Sequence, residues 1–367
     1  MNATSTVLSL ALQSGVPALI WGPPGTGKSS AMRALAQALG LPIEVVIASI
    51  REPSDFNGLP AIIDRSVTMV PPDWAQRLFL AGKGIAFFDE ISTAAPAVQA
   101  GLLRVVLEKV VGSLTLPSTI AMAAAANPPE QAAGGWELSA PLANRFWHGQ
   151  WVLDTAVWVD GLLSGWPLPT IPRLPEGWDD AVQATNALVA GFVRARPTLM
   201  LNVPELSSDA GKAWPSPRTW EMASRLMTAA TATGHEQLGD VVAMAVGGCV
   251  GPGPAGEFLA WVKELDLPDP EMILKNPDKF KLPTRSDRQF AVLASVAAAV
   301  VQNTTPDRWI AGWKVMAKAA TDGPKDVAAA ASASLLRLAR RRPDLPLPSA
   351  EIKAFVPLLK AAGVLPS

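Results

Sequence analysis

Eight residues, Gly22-Pro23-Pro24-Gly25-Thr26-Gly27-Lys28-Ser29, constrain the fold of this 367-residue chain more than any other stretch. They satisfy the pattern G-x-x-x-x-G-K-S between an apolar run, Ala18-Leu19-Ile20-Trp21, and a segment from Ser29 to about Leu39 that reads as a helix. Such a chain must turn sharply from a buried strand into a helix. Glycine lets the backbone wrap closely enough for its N–H groups to converge on phosphate oxygens, and the helix N-terminus adds positive potential. The phosphate-binding set runs from Gly22 through Ser30. Lys28 is placed to reach the β- and γ-phosphates of a nucleotide, and the Ser29 hydroxyl to bind Mg²⁺.

The rest of the first half fits a parallel sheet covered on both faces. Residues 44–49, 84–88 and 119–124 are apolar runs that read as further buried strands, and 151–153 as a fifth. Residues 61–63 and 67–70 flank Asp64-Arg65-Ser66 and read as an inserted hairpin with a polar tip. A second hairpin is expected at 110–116, around Gly112-Ser113. After about residue 155 the pattern changes. Pro167, Pro169, Pro172 and Pro175 form a connection, followed by helical patterns at 178–194, 218–231, 237–247, 288–301, 307–319 and 326–341, with Gly251-Pro252-Gly253-Pro254 as a break. The expected division is an α/β nucleotide-binding domain over 1–155, a helical lid over 156–266 and a helical C-terminal extension over 267–367.

Composition excludes several classes. Hydrophobic residues make up 49% and charged residues 17%, which suits a packed interior. The net charge of −1 argues against nucleic acid as a partner held by bulk charge. One cysteine, Cys249, excludes an intrachain disulfide, and two histidines far apart argue against an imidazole-held metal. The apolar run Val7–Leu12 lacks the positive flank of a signal peptide, and no uninterrupted apolar stretch has the length of a membrane span. The expectation is a soluble, cytoplasmic protein.

Two further strand ends carry polar groups. The run 85–88 ends in Asp89-Glu90, where the first carboxylate can hold Mg²⁺ and the second can orient or deprotonate an attacking water. The fourth strand ends near Asn127, just before Pro128-Pro129. Its amide either stands between phosphate and water or simply forms the turn before proline. Thirteen tryptophans accompany no tyrosine, and Trp74, after Pro71-Pro72-Asp73, is a candidate to face a partner or a pore.

In this order, Gly22–Ser29, Phe87-Phe88-Asp89-Glu90, Asn127 and Leu142-Ala143-Asn144-Arg145-Phe146, the chain resembles an AAA+ ATPase of the MoxR-type branch, related to dynein-like and McrB-like domains. Residues 52–58 and 98–108 support that branch, in which a hairpin interrupts the helix after Walker B. The resemblance covers roughly residues 15–230. It implies an ATPase using ATP and Mg²⁺, with Asn127 as sensor 1. It also implies Arg145 as an arginine finger acting on a neighbouring subunit, with Arg104 as the competing candidate, and Arg218 as sensor 2 for its own subunit. It further implies a homo-oligomer, a hexameric ring in most of the family, that remodels a protein client with a von Willebrand factor A-domain partner. A nucleic-acid motor or restriction-type subunit and a nucleotide-switched scaffold are the alternatives.

Overall fold

The computed structural model of the protein describes residues 2–128, 131, 136–323, 325–346 and 356. Pro129 and most of the last part of the expected C-terminal extension lie outside the described residues. The chain forms two compact units, Met1–Leu174 with Met200–Gly256, and Pro175–Leu199 with Glu257–Ser367.

The first unit is built on α1 (Ala3–Ser14), β1 (Ala18–Trp21), α2 (Lys28–Leu39), β2 (Ile43–Ile47), α3 (Ser54–Asn57), β3 (Leu59–Ile63), β4 (Ser66–Val70), α4 (Asp73–Ala81), β5 (Gly84–Asp89), α5 (Pro96–Glu108), β6 (Val110–Val111), β7 (Leu114–Thr115), β8 (Ile120–Ala126), α6 (Ala140–Ala143), β9 (Trp147–Gln150) and α7 (Thr155–Ser164). It is completed by α9 (Ser207–Ala210), α10 (Pro217–Ala232) and α11 (Asp240–Val250). Strands β2-β5-β8-β1-β9 make one parallel sheet in that order. The two innermost strands after β1, β8 and β5, are buried along nearly their whole length, as a sheet covered on both faces requires. Five of the seven β8 residues are alanine, which lets elements on either face approach closely.

The apolar run at Val7–Leu12 is the buried core of α1, capped by the Asn2 side chain accepting from Ser5 N and by left-handed Gly15. The fifth strand is β9 at 147–150, not 151–153 as the sequence pattern suggests. Its sequence, Trp-His-Gly-Gln, carries no apolar run, and its burial comes from α1 and α11. At α11 the Trp147 indole donates to Met244 O at 3.1 Å, and any side chain at Gly248 would strike that indole. Trp74 is likewise buried. It packs edge-on against Phe88 with centroids 5.9 Å apart and donates to Asp55 O, so it faces the core rather than a partner or pore.

Both hairpins form. β3 and β4 turn through Asp64 and Arg65, which both adopt positive φ as a tight primed turn demands. The β6–β7 turn docks on β4: Ser113 N donates to Met69 O at 2.9 Å, and Gly112 lies too close to Met69 O to carry a side chain.

The second unit comprises α8 (Val182–Ala195), α12 (Pro252–Glu264) from Glu257 onward, α13 (Pro270–Lys275), α14 (Ser286–Gln302), α15 (Pro306–Asp322) and α16 (Lys325–Arg341). The Gly251–Pro254 stretch both ends α11 and starts α12, with Gly251 at φ 86° and proline at the first helical position. Val292, Val296, Trp309, Trp313 and Leu335 form the centre of this core. Among the described residues no helix is long and apolar enough to cross a membrane.

Candidate functional site

The loop between β1 and α2 lies at the carboxyl end of the sheet, beside the end of β8, to which Gly22 N donates at Ala126 O. Gly25 and Gly27 adopt φ values of 76° and 85°, a region that side-chain-bearing residues avoid, so the pattern's glycines are conformationally required. Lys28 turns back into the loop. Its Nζ donates to Gly22 O at 2.6 Å, Pro23 O at 2.8 Å and Asn127 Oδ1 at 2.8 Å. Burial holds the Lys28 ammonium below the usual lysine range, opposed by the charges of Asp89 and Glu90.

The two carboxylates after β5 have separate partners. Ser29 Oγ donates to Asp89 Oδ2, while Asp89 Oδ1 accepts from Glu90 N at 3.0 Å. Glu90 sits at φ 56°, an uncommon conformation for a residue with a side chain, which lifts it out of the strand direction. Its Oε2 accepts from Ser49 Oγ, just after β2. Asn127 is held through Ser92, whose hydroxyl donates to Asn127 O and accepts from Asn127 N, both at 3.2 Å. Lys28, Ser29, Asp89, Glu90 and Asn127 therefore come together. Ser49 and Ser92 join them unforeseen, because nothing in sequence links them to partners 41 and 35 residues away.

Trp151 clasps the loop. Its backbone N–H donates to Trp21 O at 2.6 Å and its indole to Thr26 O at 3.0 Å. A side chain at Gly22 would stand 2.8 Å from Trp151 O. Behind this clasp, Trp21 Nε1 donates to His148 Nδ1 at 2.9 Å, so Nε2 carries the proton and donates to Ala143 O at 2.9 Å. Complete burial pushes the His148 pKa down to about 4. The unfolded chain binds that proton near pH 6.5, so the stability from neutral His148 is complete above pH 6.5 and is lost as pH falls towards 4. The loss should reach about 3 kcal/mol over that window. Denaturant titrations across it should show the fall, and His148→Gln should flatten it.

The two arginines lie elsewhere. In the β1–β9 register Ala18 pairs with Trp147 and Trp21 with Gln150. Trp147 therefore stands roughly 10 Å from the level of the phosphate loop, at the amino edge of the sheet, and Arg145 precedes it in the turn after α6. Arg145 donates to Pro141 O, and its Nε is buried without a partner. Arg218 donates to Asn144 Oδ1 at 3.4 Å, and Ser216 Oγ to the same oxygen at 2.8 Å. Burial, and then the charge of Arg218, hold Arg145 below the usual arginine range. Arg218 is thus neighbour to Arg145, although its expected place is the phosphate of its own subunit. Arg104, the competing finger, donates to Glu108 on the exposed face of α5.

Residues 2–155 match the sequence model of the "MoxR domain in the MoxR-vWA-beta-propeller ternary systems". Residues 2–155 are thus a MoxR-type domain. In this MoxR-type domain the phosphate loop, the Asp89-Glu90 strand end, Asn127 and both inserted hairpins fall within the matched span. No curated protein matches the chain in sequence. Among solved structures it is similar to a "putative ATPase" from Cytophaga hutchinsonii ATCC 33406, at 16% identity and TM-score 0.41 over 75% of this chain and 88% of that one. It is also similar to a full-length MCM homolog from Methanopyrus kandleri, at 17% identity and TM-score 0.37 over 70% of this chain and 53% of that one.

Proposed function

We propose that the MoxR-type domain binds ATP at Lys28 and hydrolyses it within a ring of identical chains, Arg145 and Arg218 of one copy serving the phosphates of the next. The carrying observation is the register of β1 and β9, which puts the arginine pair and the phosphate loop at opposite edges of one sheet. Two guanidinium groups side by side, with no carboxylate partner among the described residues, suit an anion supplied from outside.

In the occupied site the N–H groups of Gly25–Ser29 would cradle the phosphates, and Lys28 would exchange its carbonyl acceptors for phosphate oxygens. Ser29 and Asp89, already in contact, form a hard oxygen pair that fits Mg²⁺. When bound, the ion would neutralise charge on the β- and γ-phosphates. Glu90 takes the proton of the attacking water, and Asn127 orients that water against the phosphate. The intact glutamate favours turnover over a pure nucleotide switch.

The work done with this energy is remodelling of a protein client alongside a chain with a von Willebrand factor A domain, the component named for the matched family. The β3–β4 hairpin offers the client an apolar surface, with Ile62 82% and Val67 71% exposed. Its tip carries a single basic residue, Arg65, which gives a nucleic-acid motor little to hold phosphate with.

The test is ATPase rate against protein concentration, with DNA or an unfolded protein added. A rate per chain that rises with concentration and with the protein client supports the proposal. Stimulation by DNA alone replaces remodelling with translocation. Lys28→Ala should weaken ATP binding roughly 10- to 100-fold, the worth of one charge-assisted bond, measurable by calorimetry with a non-hydrolysed analogue.

A further inference from the structure

We infer that α7 is the seat of a second copy of this chain, the seam through which one copy covers the rim of another's phosphate loop. The inference rests on the composite site proposed above and names the surface that assembles it.

The helix is well formed in its own right. Asp154 caps it by accepting from Ala156 N and Val157 N, and left-handed Gly165 ends it. Trp166 then folds back over Gly161, where a side chain would collide with the indole. Yet Gly161 is the only buried residue of the helix. Val157, Trp158, Val159, Leu162 and Leu163 all face outward, the last 81% exposed, and Val152, Leu153, Trp166 and Leu168 extend the same apolar surface. A helix apolar on every side is ordinarily buried.

Two observations select the occupant. The first is area: these side chains expose on the order of 1,000 Å², more than the largest patch of an ordinary monomer and about what one partner contributes to a stable interface. Asp160 is the only charge on the helix, which suits a permanent apolar contact and offers nothing to a polyanion. The second is position. Only Val152, Leu153 and Asp154 separate α7 from Trp151, whose indole and backbone hold both ends of the phosphate loop. A copy that brings Arg145 to those phosphates must approach this rim, and α7 is the apolar surface beside it.

The experiment uses the full chain carrying Glu90→Gln, so that ATP persists. Native Cys249 is buried and burial raises its thiol far above the usual range, so Leu163→Cys supplies one reactive thiol. Maleimide labelling of that introduced thiol should slow at least tenfold when ATP drives assembly. Leu163→Asp, on an exposed site that leaves the core intact, should sediment as a monomer where the parent assembles. Unchanged labelling in the assembled protein, normal assembly of Leu163→Asp, or a parent that never assembles would each overturn the inference. Normal assembly of Leu163→Asp would instead assign α7 to a partner protein or a lipid surface. Arg145→Ala, made in the chain with native Glu90, separates the two claims: if it assembles and hydrolyses ATP at the native rate, the composite site fails while the α7 seam stands.

Discussion

Replacement of Glu90 by glutamine is expected to leave ATP bound and to slow its hydrolysis by roughly 10²–10⁴, the usual contribution of a positioned general base. The substitution keeps side-chain size and can still accept from Ser49 Oγ, so the left-handed backbone at residue 90 and the neighbouring Asp89 contacts should persist. What it removes is a proton acceptor. Single-turnover measurement with nucleotide retention on filters distinguishes this from lost binding. Lys28→Ala should fail to retain ATP, whereas Glu90→Gln should retain it for far longer than the parent. Asp89→Asn should differ again, by weakening the dependence on Mg²⁺ through its contact with Ser29. A Glu90→Gln rate within about threefold of the parent would remove Glu90 from the chemistry.

The parts of this site that could be read from sequence are those whose chemistry is local. The loop 22–29 specifies itself, because its glycines and its lysine act within one turn of chain. Asp89-Glu90 could be read because carboxylates at the carboxyl end of a buried strand beside a phosphate loop suit a ligand, whereas Asn127 before Pro128 reads equally as a turn and gained its role only from the resemblance. Long-range contacts were not. Ser49, Ser92 and Trp151 gain their roles from partners 35 to 130 residues distant, and a serine after a strand carries no signal of that kind.

The last strand escaped because its apolar content is low. Trp147-His148-Gly149 is buried through α1 and α11 and through the Trp21–His148–Ala143 bond chain, not through hydrophobic alternation. α7 escaped for the opposite reason, since an apolar helix that buries only a glycine does not show the one-sided pattern of a surface helix. The proximity of Arg218 to Arg145 follows from Asn144 joining the start of α10 to the turn before β9, a contact across 74 residues.

That juxtaposition yields the second large effect. Arg145→Ala is expected to bind ATP as the parent does and to hydrolyse it 10³–10⁵-fold more slowly, the span observed for arginines that stabilise phosphoryl-transfer charge from outside the site. The diagnostic form is a mixture. Lys28→Ala chains hold ATP too weakly to fill their sites at an ATP concentration that saturates the parent but carry an intact Arg145, while Arg145→Ala chains hold ATP but have no finger to offer. Each should be inactive alone. Mixed, every Arg145→Ala site that faces a Lys28→Ala neighbour regains the missing guanidinium, so activity should rise with the mixing ratio and peak between the pure samples. Arg218→Ala should behave in the same way, because Arg218 stands beside Arg145 rather than beside Lys28. The double variant should cost less than the sum of the singles, as expected of two groups that act on one anion. Activity of Arg145→Ala close to the parent, or mixtures that never exceed the average of their components, would return both arginines to the surface of a single chain.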